Sequence, residues 1–380
     1  MKPLRWVPLG LISSLLALSC SSEGSDKEEF ELRTATFNAA LAPAFAPLVS
    51  ERGEPVTSAL AASAAELDLL CVQEFWLDEH WSALRDSTAS QLPNALRFEA
   101  RPGSGTCSEE ELGALGLCLQ TSCPDTSGEE LVACATTSCT EQVTALNPGC
   151  LACVMNHISD DFSACVGEPT TPDPAIYGGS FDVGLLSRFP ILANDKKELS
   201  SYFVRAGVLY AKLDVPGAGP VHAFCTHLGS PLDIVPYAGS YGSWHDEQQQ
   251  QIRELLAFVH EKTQDRGRVV LLGDMNNGPS HGSIEGEWAD NYALLTSAGL
   301  RNPYLLQTDA ACTWCDDNSY HPGSAPTLID HILESGFDDA TTSIERTYVE
   351  PVTLETEDGS LEGNLSDHYG LRGVIRSEAQ

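Results

Sequence analysis

An α/β layered sandwich carrying a cysteine-rich helical insertion is the fold class that the sequence predicts, and three observations predict it. Short Val/Leu-rich runs recur along the chain and several end in polar residues, as strands do. A helix-periodic segment falls between two of these runs, so strands and helices are interspersed rather than segregated. Eight of the 13 cysteines are crowded into residues 107–165, where the strand pattern stops.

Residues 1–19 read as a signal peptide. Lys2 and Arg5 form a positive start, and the apolar run from Val7 to Ser19 is shorter than the roughly 20 residues that span a bilayer. Leu16-Ala17-Leu18-Ser19-Cys20 resembles a bacterial lipobox, in which the cysteine is lipidated. Lipidation at Cys20 is the first expectation, ahead of plain secretion and of an ordinary buried cysteine, and residues 20–30 then form a polar, flexible tether.

Strands are expected over Leu32–Phe37 and Leu67–Val72. Beyond the cysteines they are expected over Val183–Ser187, Val204–Leu213, Val221–Thr226, Val269–Leu272, Thr327–Leu333 and His368–Ile375. Glu247–Gln264 reads as a helix, with Ile252, Leu255, Leu256 and Val259 at helical spacing. No glycine-rich phosphate loop follows the first strand, which favours a layered sandwich over a nucleotide-binding sheet.

Setting Cys20 aside leaves an even number of cysteines in an exported chain, so disulfides are the first expectation. Cys107, Cys123 and Cys139, and likewise Cys118, Cys134 and Cys150, recur at a constant step, with Cys153 and Cys165 closing the run. Helix-forming segments at Glu109–Leu119, Glu129–Thr136 and Leu151–Ile158 lie among them, which predicts short stapled helices over 107–167 with connectivity left open. A zinc module is the weaker alternative, because the block holds His157 alone and lacks paired CxxC motifs. Cys312 and Cys315 are expected to form a local disulfide; Cys71 and Cys225 are either buried thiols or a disulfide.

With 380 residues, 42% of them apolar, and a mean hydropathy of −0.13, a wholly disordered chain is excluded. The 54 acidic and 21 basic residues give a net charge of −33, which disfavours tight, general binding of nucleic acid.

The chemistry collects where the strands end: Asn38, Glu74, His227, Asp274 with Asn276, Asp330, and Asp367-His368. Carboxylates and an amide oxygen are hard ligands suited to Mg²⁺ or Mn²⁺, and two histidines beside carboxylates supply a general base and a transition-state donor. Asp274 and Asn276, two apart, point to one side if the chain is extended there.

Thr36-Phe37-Asn38, Val72-Gln73-Glu74, Gly184–Ile191, Thr226-His227-Leu228, Leu272–Asn276, Ile329-Asp330-His331 and Ser366–Tyr369 resemble, in order, the motif series of the endonuclease/exonuclease/phosphatase (DNase I-like) superfamily. The match covers roughly 31–106 and 168–376. Arg205–Ala211, the Gln-rich helix and Asp-Met-Asn look most similar to its neutral sphingomyelinase-like branch. The resemblance implies a four-layer α/β sandwich of two packed mixed β-sheets flanked by helices, forming one domain over 31–376 with the insertion at 107–167. It implies Glu74 on the metal, with Asn38 on metal or phosphate and Asp367 in support. Asp274 and Asn276 would position the water and phosphoryl oxygens, His368 would be the base oriented by Asp330, and His227 would donate to the phosphoryl group. The implied activity is metal-dependent hydrolysis of a phosphodiester, a phospholipid such as sphingomyelin, by an exported cell-envelope lipoprotein or secreted protein. An extracytoplasmic nuclease, a phosphomonoesterase on inositol phosphates and a catalytically dead binding protein are the alternatives, the last disfavoured because none of the named ligands is missing. The insertion is expected either to wall the cleft or to be a stabilising surface module. The apolar loop Gly229–His245, with Leu232, Ile234, Val235, Tyr237, Tyr241 and Trp244, either packs beneath itself or meets lipid. His331 is expected to pack, and His222, His245, His281 and His321 are unassigned.

Overall fold

Val/Leu-rich runs this short need cover on both faces, and in the computed structural model they receive it. The structure describes residues 29–377 except 44, 102–106, 127, 158–161, 167–176, 233–234, 236, 238 and 358. The expected signal peptide, Cys20 and most of the expected tether therefore lie outside the described residues, as do Ile158 and Ile234.

In chain order the elements are β1 (Phe30–Leu41), α1 (Val49–Ser63), β2 (Leu69–Phe75), α2 (Asp78–Thr88) and β3 (Asn94–Arg97), then the helices α3 (Glu109–Ser122), α4 (Gly128–Ser138), α5 (Thr140–Ala145) and α6 (Pro148–Asn156). They continue with β4 (Gly184–Ser187), β5 (Ile191–Leu199), β6 (Ala206–Val215), β7 (Gly219–His227), α7 (Trp244–Thr263), β8 (Arg268–Asp274) and α8 (Ala289–Ser297). The last are β9 (Asp330–Ser335), β10 (Thr341–Thr347), β11 (Val352–Thr356), β12 (Gly359–Gly363) and β13 (Gly370–Ser377).

One sheet has the order β10-β13-β1-β2-β4-β3, the other β5-β6-β7-β8-β9, and β11-β12 is a separate hairpin. Both large sheets are mixed: β1 is parallel to β2 and antiparallel to β13, and β7 is parallel to β8 and antiparallel to β6. Leu32, Leu69 and Leu371 of the first sheet meet Leu209, Leu272 and Ile332 of the second in one apolar cluster. On the outer faces, Val56, Leu60 and Leu84 of α1 and α2 cover Phe37 and Val72, while Ile252, Leu255 and Phe258 of α7 cover Phe224 and Leu271. Each such buried Leu or Phe contributes roughly 1.5–3 kcal/mol, so helix, sheet, sheet and helix stack as the four expected layers.

Twelve cysteines pair in six disulfides, chemistry that belongs to an oxidising compartment. Cys71 of β2 joins Cys225 of β7, so the alternative of two thiols gives way to a bond between the sheets. Cys312 joins Cys315. Between β3 and β4 the pairs Cys107–Cys150, Cys118–Cys139 and Cys123–Cys134 are nested, and Cys153–Cys165 follows. These bonds displace the zinc alternative, since the cysteines beside His157 are bonded to each other. Four helices occupy this stretch rather than three; α5 is short and threonine-bearing and gave no apolar period. Ser108 caps α3 in a reciprocal box with Glu111.

The core of this helical segment, including Leu115, Leu151 and Met155, runs on into Phe203 and Val235, with Leu232, Tyr237 and Trp244 packed against it. Trp244 Nε1 donates to the Val235 carbonyl at 2.9 Å and its ring stands edge-on to Tyr237, so these loop residues pack; Tyr241 is 39% exposed. Among the described residues no helix is long and apolar enough to cross a membrane.

Candidate active site

The strand directions bring the polar termini to one rim. Asn38 lies on β1, Glu74 near the end of β2, and His227 and Asp274 close β7 and β8. Asp330 opens β9, whose antiparallel course puts its start at the same rim, and His368 stands two residues before β13. His227, Asp274 and Asp330 are cross-strand neighbours in register. All eight residues singled out in the sequence approach this rim.

Hydrogen bonds order them. Asn38 Nδ2 donates to Glu74 Oε1 at 3.0 Å and to Asp274 Oδ2 at 2.9 Å, holding the two carboxylates together, while its Oδ1 accepts from Ala40 N at 3.0 Å. His368 Nδ1 lies 2.8 Å from Asp330 Oδ2, and its Nε2 stands 3.8 Å from Asp274 and 3.9 Å from Asp367. His227 Nδ1 bonds Asp182, and its Nε2 is 3.6 Å from Asp274 Oδ2. Asp274 and Asn276 do not share a strand face: Asn276 adopts φ 47°, its N–H caps Asp274 Oδ1 at 2.8 Å and its side-chain amide reaches His227 Nε2 at 2.9 Å. The expected convergence is thus made by a turn, not by strand alternation. Glu74 is also left-handed, at φ 60°, and its N–H donates to Asp182 at 3.1 Å. Such conformations in bulky residues cost energy and gather where geometry serves a site.

Burial raises Glu74 to about 7 and Asp274 to about 6, Asp367 adding to the first and Asp330 to the second. For His227, burial opposes the proton, but Asp182, Asp274 and Glu74 outweigh it and lift the ring to about 10. A protonated ring needs the Asn276 amide oxygen rather than its nitrogen facing Nε2, so amide orientation and ring charge are linked. His368 is raised well above its ordinary value, Asp330 and Asp274 overcoming burial. Burial opposes the charge on half-buried Asp367, yet His321, His368 and Arg52 bring it down to about 2.

The donor chemistry suits a hard cation: the carboxylates of Glu74, Asp274, Asp330 and Asp367 and the Asn38 amide oxygen gather at one rim. Asp274, Asp330 and His368 present ligand atoms within 4.8 Å of one another, a grouping that differs from Glu74, Asn38 and Asp367.

Sequence reasoning missed Asp182. It precedes β4, and the rule applied was to look where strands end; β4 is antiparallel to β2, so its beginning lies at the rim. Also missed was the loop over His368. Thr313 Oγ1 accepts the N–H groups of Ile329 and Asp330 at 3.2 Å, and Trp314 stands edge-on to His368 and stacks on His321, which lies 3.6 Å from Asp367. His331 packs as expected: Asn302 and the Asn277 carbonyl engage its two nitrogens and burial lowers it to about 4. His222 and His245 pair with Tyr210 and Asp290. Beside Glu74, Asp182 and His227 opens a pocket lined by Phe45, Trp76, Tyr177, Phe203, Leu232 and Trp244, among others.

Solved structures that share the fold include these three. Sphingomyelinase C from Streptomyces griseocarneus is 16% identical, with 92% of this chain and 99% of that one covered and a TM-score of 0.53. Beta toxin from Staphylococcus aureus, which carries bound magnesium ions, is 15% identical, with 92% and 100% covered and a TM-score of 0.54. An endonuclease/exonuclease/phosphatase from Bacteroides vulgatus is 14% identical, with 92% and 99% covered and a TM-score of 0.51. No curated protein matches the sequence. The family match extends over residues 35–368, from within β1 to His368, and by it the chain belongs to the Endonuclease/Exonuclease/phosphatase family.

Proposed function

We propose that the protein is a metal-dependent phosphodiesterase whose substrate is a phospholipid such as sphingomyelin. The observation that carries this reading is a buried His–Asp pair facing a carboxylate cluster, beside a pocket walled by aromatic and aliphatic side chains. Glu74, with Asn38 and Asp367, would hold Mg²⁺ or Mn²⁺. A bound dication neutralises the carboxylates, polarises the phosphoryl group and lowers the proton affinity of the nearby imidazoles.

His368 takes the water's proton at Nε2, since Nδ1 is committed to Asp330. His227, held at Nδ1 by Asp182, would turn Nε2 toward the phosphoryl oxygens, with the Asn276 amide, which meets that nitrogen in the unliganded site, beside it. The net charge of −33 weighs against a nuclease, which needs cations along a phosphate backbone. The six disulfides and the lipobox-like Cys20 support an exported, lipid-anchored or secreted enzyme over 31–376.

The test is parallel hydrolysis of sphingomyelin, phosphatidylcholine, inositol phosphates and DNA, with Mg²⁺ and with EDTA. Chelator-sensitive release of phosphocholine from sphingomyelin is the expected result. Turnover of DNA or phosphomonoesters alone would replace the substrate assignment, and activity untouched by EDTA would remove the metal.

A further inference from the structure

Arg52 is the largest of the fully buried side chains among the described residues, and it sits on α1, outside the six-stranded sheet. A buried guanidinium needs its N–H groups satisfied. Hydrogen bonds engage four of the five donors, and every acceptor is a backbone carbonyl: Nε donates to Pro47 at 2.8 Å, Nη1 to Ala39 at 2.8 Å and to Leu365 at 3.0 Å, and Nη2 to Ala40. The Tyr320 ring centroid lies 5.5 Å from the guanidinium carbon.

Those carbonyls belong to two functional segments. Ala39 and Ala40 follow Asn38 where the pairing of β1 with β2 slips register between Asn38 and Leu41. A bulge of this kind bends the strand, re-aims a side chain and frees backbone groups from the ladder. Here Ala40 turns to φ 48° and gives its N–H to Asn38 Oδ1, while the displaced carbonyls fall to Arg52. Leu365 stands just ahead of Ser366-Asp367-His368. One side chain thus spans the bulge that aims Asn38 at Glu74 and Asp274 and the segment that delivers Asp367 and His368.

We propose that Arg52 is a positioning residue for the hydrolysis assigned above, its planar fork fixing the Asn38 bulge relative to the Asp367–His368 segment. The inference rests on the phosphoesterase reading. Lysine keeps the charge but offers one nitrogen and no fork, so it cannot hold carbonyls of both segments in the same geometry.

The experiment compares wild type, R52K and Leu60→Ala, the last a control that removes a buried side chain from the same helix. Each is assayed on the phosphodiester identified by the parallel assay, at a temperature where near-UV circular dichroism shows it folded, and Mn²⁺ binding is measured separately by calorimetry. R52K is expected to lower kcat about 10²-fold with KM within about threefold, and to weaken Mn²⁺ binding about tenfold. L60A, once folded, is expected to keep kcat and Mn²⁺ affinity within about twofold. The proposal is overturned if R52K keeps both properties, or if L60A loses as much, which would reduce the effect to loosened packing. Failure of R52K to fold also overturns it, making the arginine a folding determinant. Absence of metal-dependent turnover by the wild type would instead strike the functional reading itself, before any variant is compared.

Discussion

The Nε2 atoms of His227 and His368 approach a single carboxylate oxygen, Asp274 Oδ2, at 3.6 and 3.8 Å. Each imidazole is backed at Nδ1 by its own carboxylate, Asp182 for His227 and Asp330 for His368. The five-stranded sheet supplies one ring and the six-stranded side the other, so the two face each other across the rim between the layers.

The His368 pair gives the sharpest prediction. His368→Ala is expected to remove about 10³-fold or more of the metal-dependent rate, and Asp330→Asn about 10–100-fold, with the fold intact by circular dichroism. Wild-type turnover in H368A would show that the ring has no part in the chemistry.

Asp182 is expected to matter nearly as much as the residues it supports. Asp182→Asn keeps the side chain's size and an oxygen that can still meet the Glu74 N–H and the His227 ring, which share Oδ2, but removes the negative charge that favours the protonated ring. A fall of about 10–100-fold in kcat is expected, measured on a soluble phosphodiester so that membrane binding plays no part. An unchanged rate would return His227 to an ordinary core role.

The metal-free protein should lose stability as its buried carboxyls ionise. Glu74 and Asp274 have folded-state values of about 7 and about 6, above their unfolded values of 4.5 and 3.8. A carboxyl raised on folding binds its proton more tightly when folded, so its contribution is full below the unfolded value and is lost as pH rises through the folded one. Mg²⁺ held by ionised Glu74 would offset that loss, and its charge would favour ionised Asp274 beside it. The gain in Tm on adding Mg²⁺ should therefore be larger at about pH 7.5 than at about pH 5, and a gain that is flat or reversed across that range would count against Glu74 as the metal's holder.

Peptide mapping without reduction should recover the pairs Cys107–Cys150, Cys118–Cys139, Cys123–Cys134 and Cys153–Cys165 with no free thiol among them. Stoichiometric zinc with thiols freed on its removal would contradict the pairing.

The parts of the fold legible in the sequence are those whose burial leaves a continuous apolar run: β1, β2, β6, β7, β8 and the covering helix α7. Strand boundaries moved by two or three residues at β9 and β13, because Asp330 and His368 are fixed by side-chain bonds at the rim as much as by the ladder. α1 was illegible because Gly53 and Pro55 read as breakers and its largest buried side chain is an arginine. β5 was illegible because it is an edge strand with six consecutive exposed residues, so no apolar alternation marks it. The site was legible where a polar residue closes an apolar run. Where one precedes a run, as at Asp182, or sits in a loop, as at Trp314, identity alone says nothing until the chain direction is known.

The nested cysteine pairs bear on how the chain can be assembled. Eight cysteines lie between Cys71 and Cys225, and a chain emerging N-terminus first presents all of them before Cys225 arrives. Cys71 is then surrounded by wrong partners. The pairs at separations of 11, 21 and 43 residues close one inside another, and short loops lose the least entropy on closure, so oxidation can zip outward from Cys123–Cys134 with no strand of the sandwich in place. Local closure takes those thiols out of competition, and Cys71 is left to wait across 154 residues for the strand that will lie against it in the other sheet.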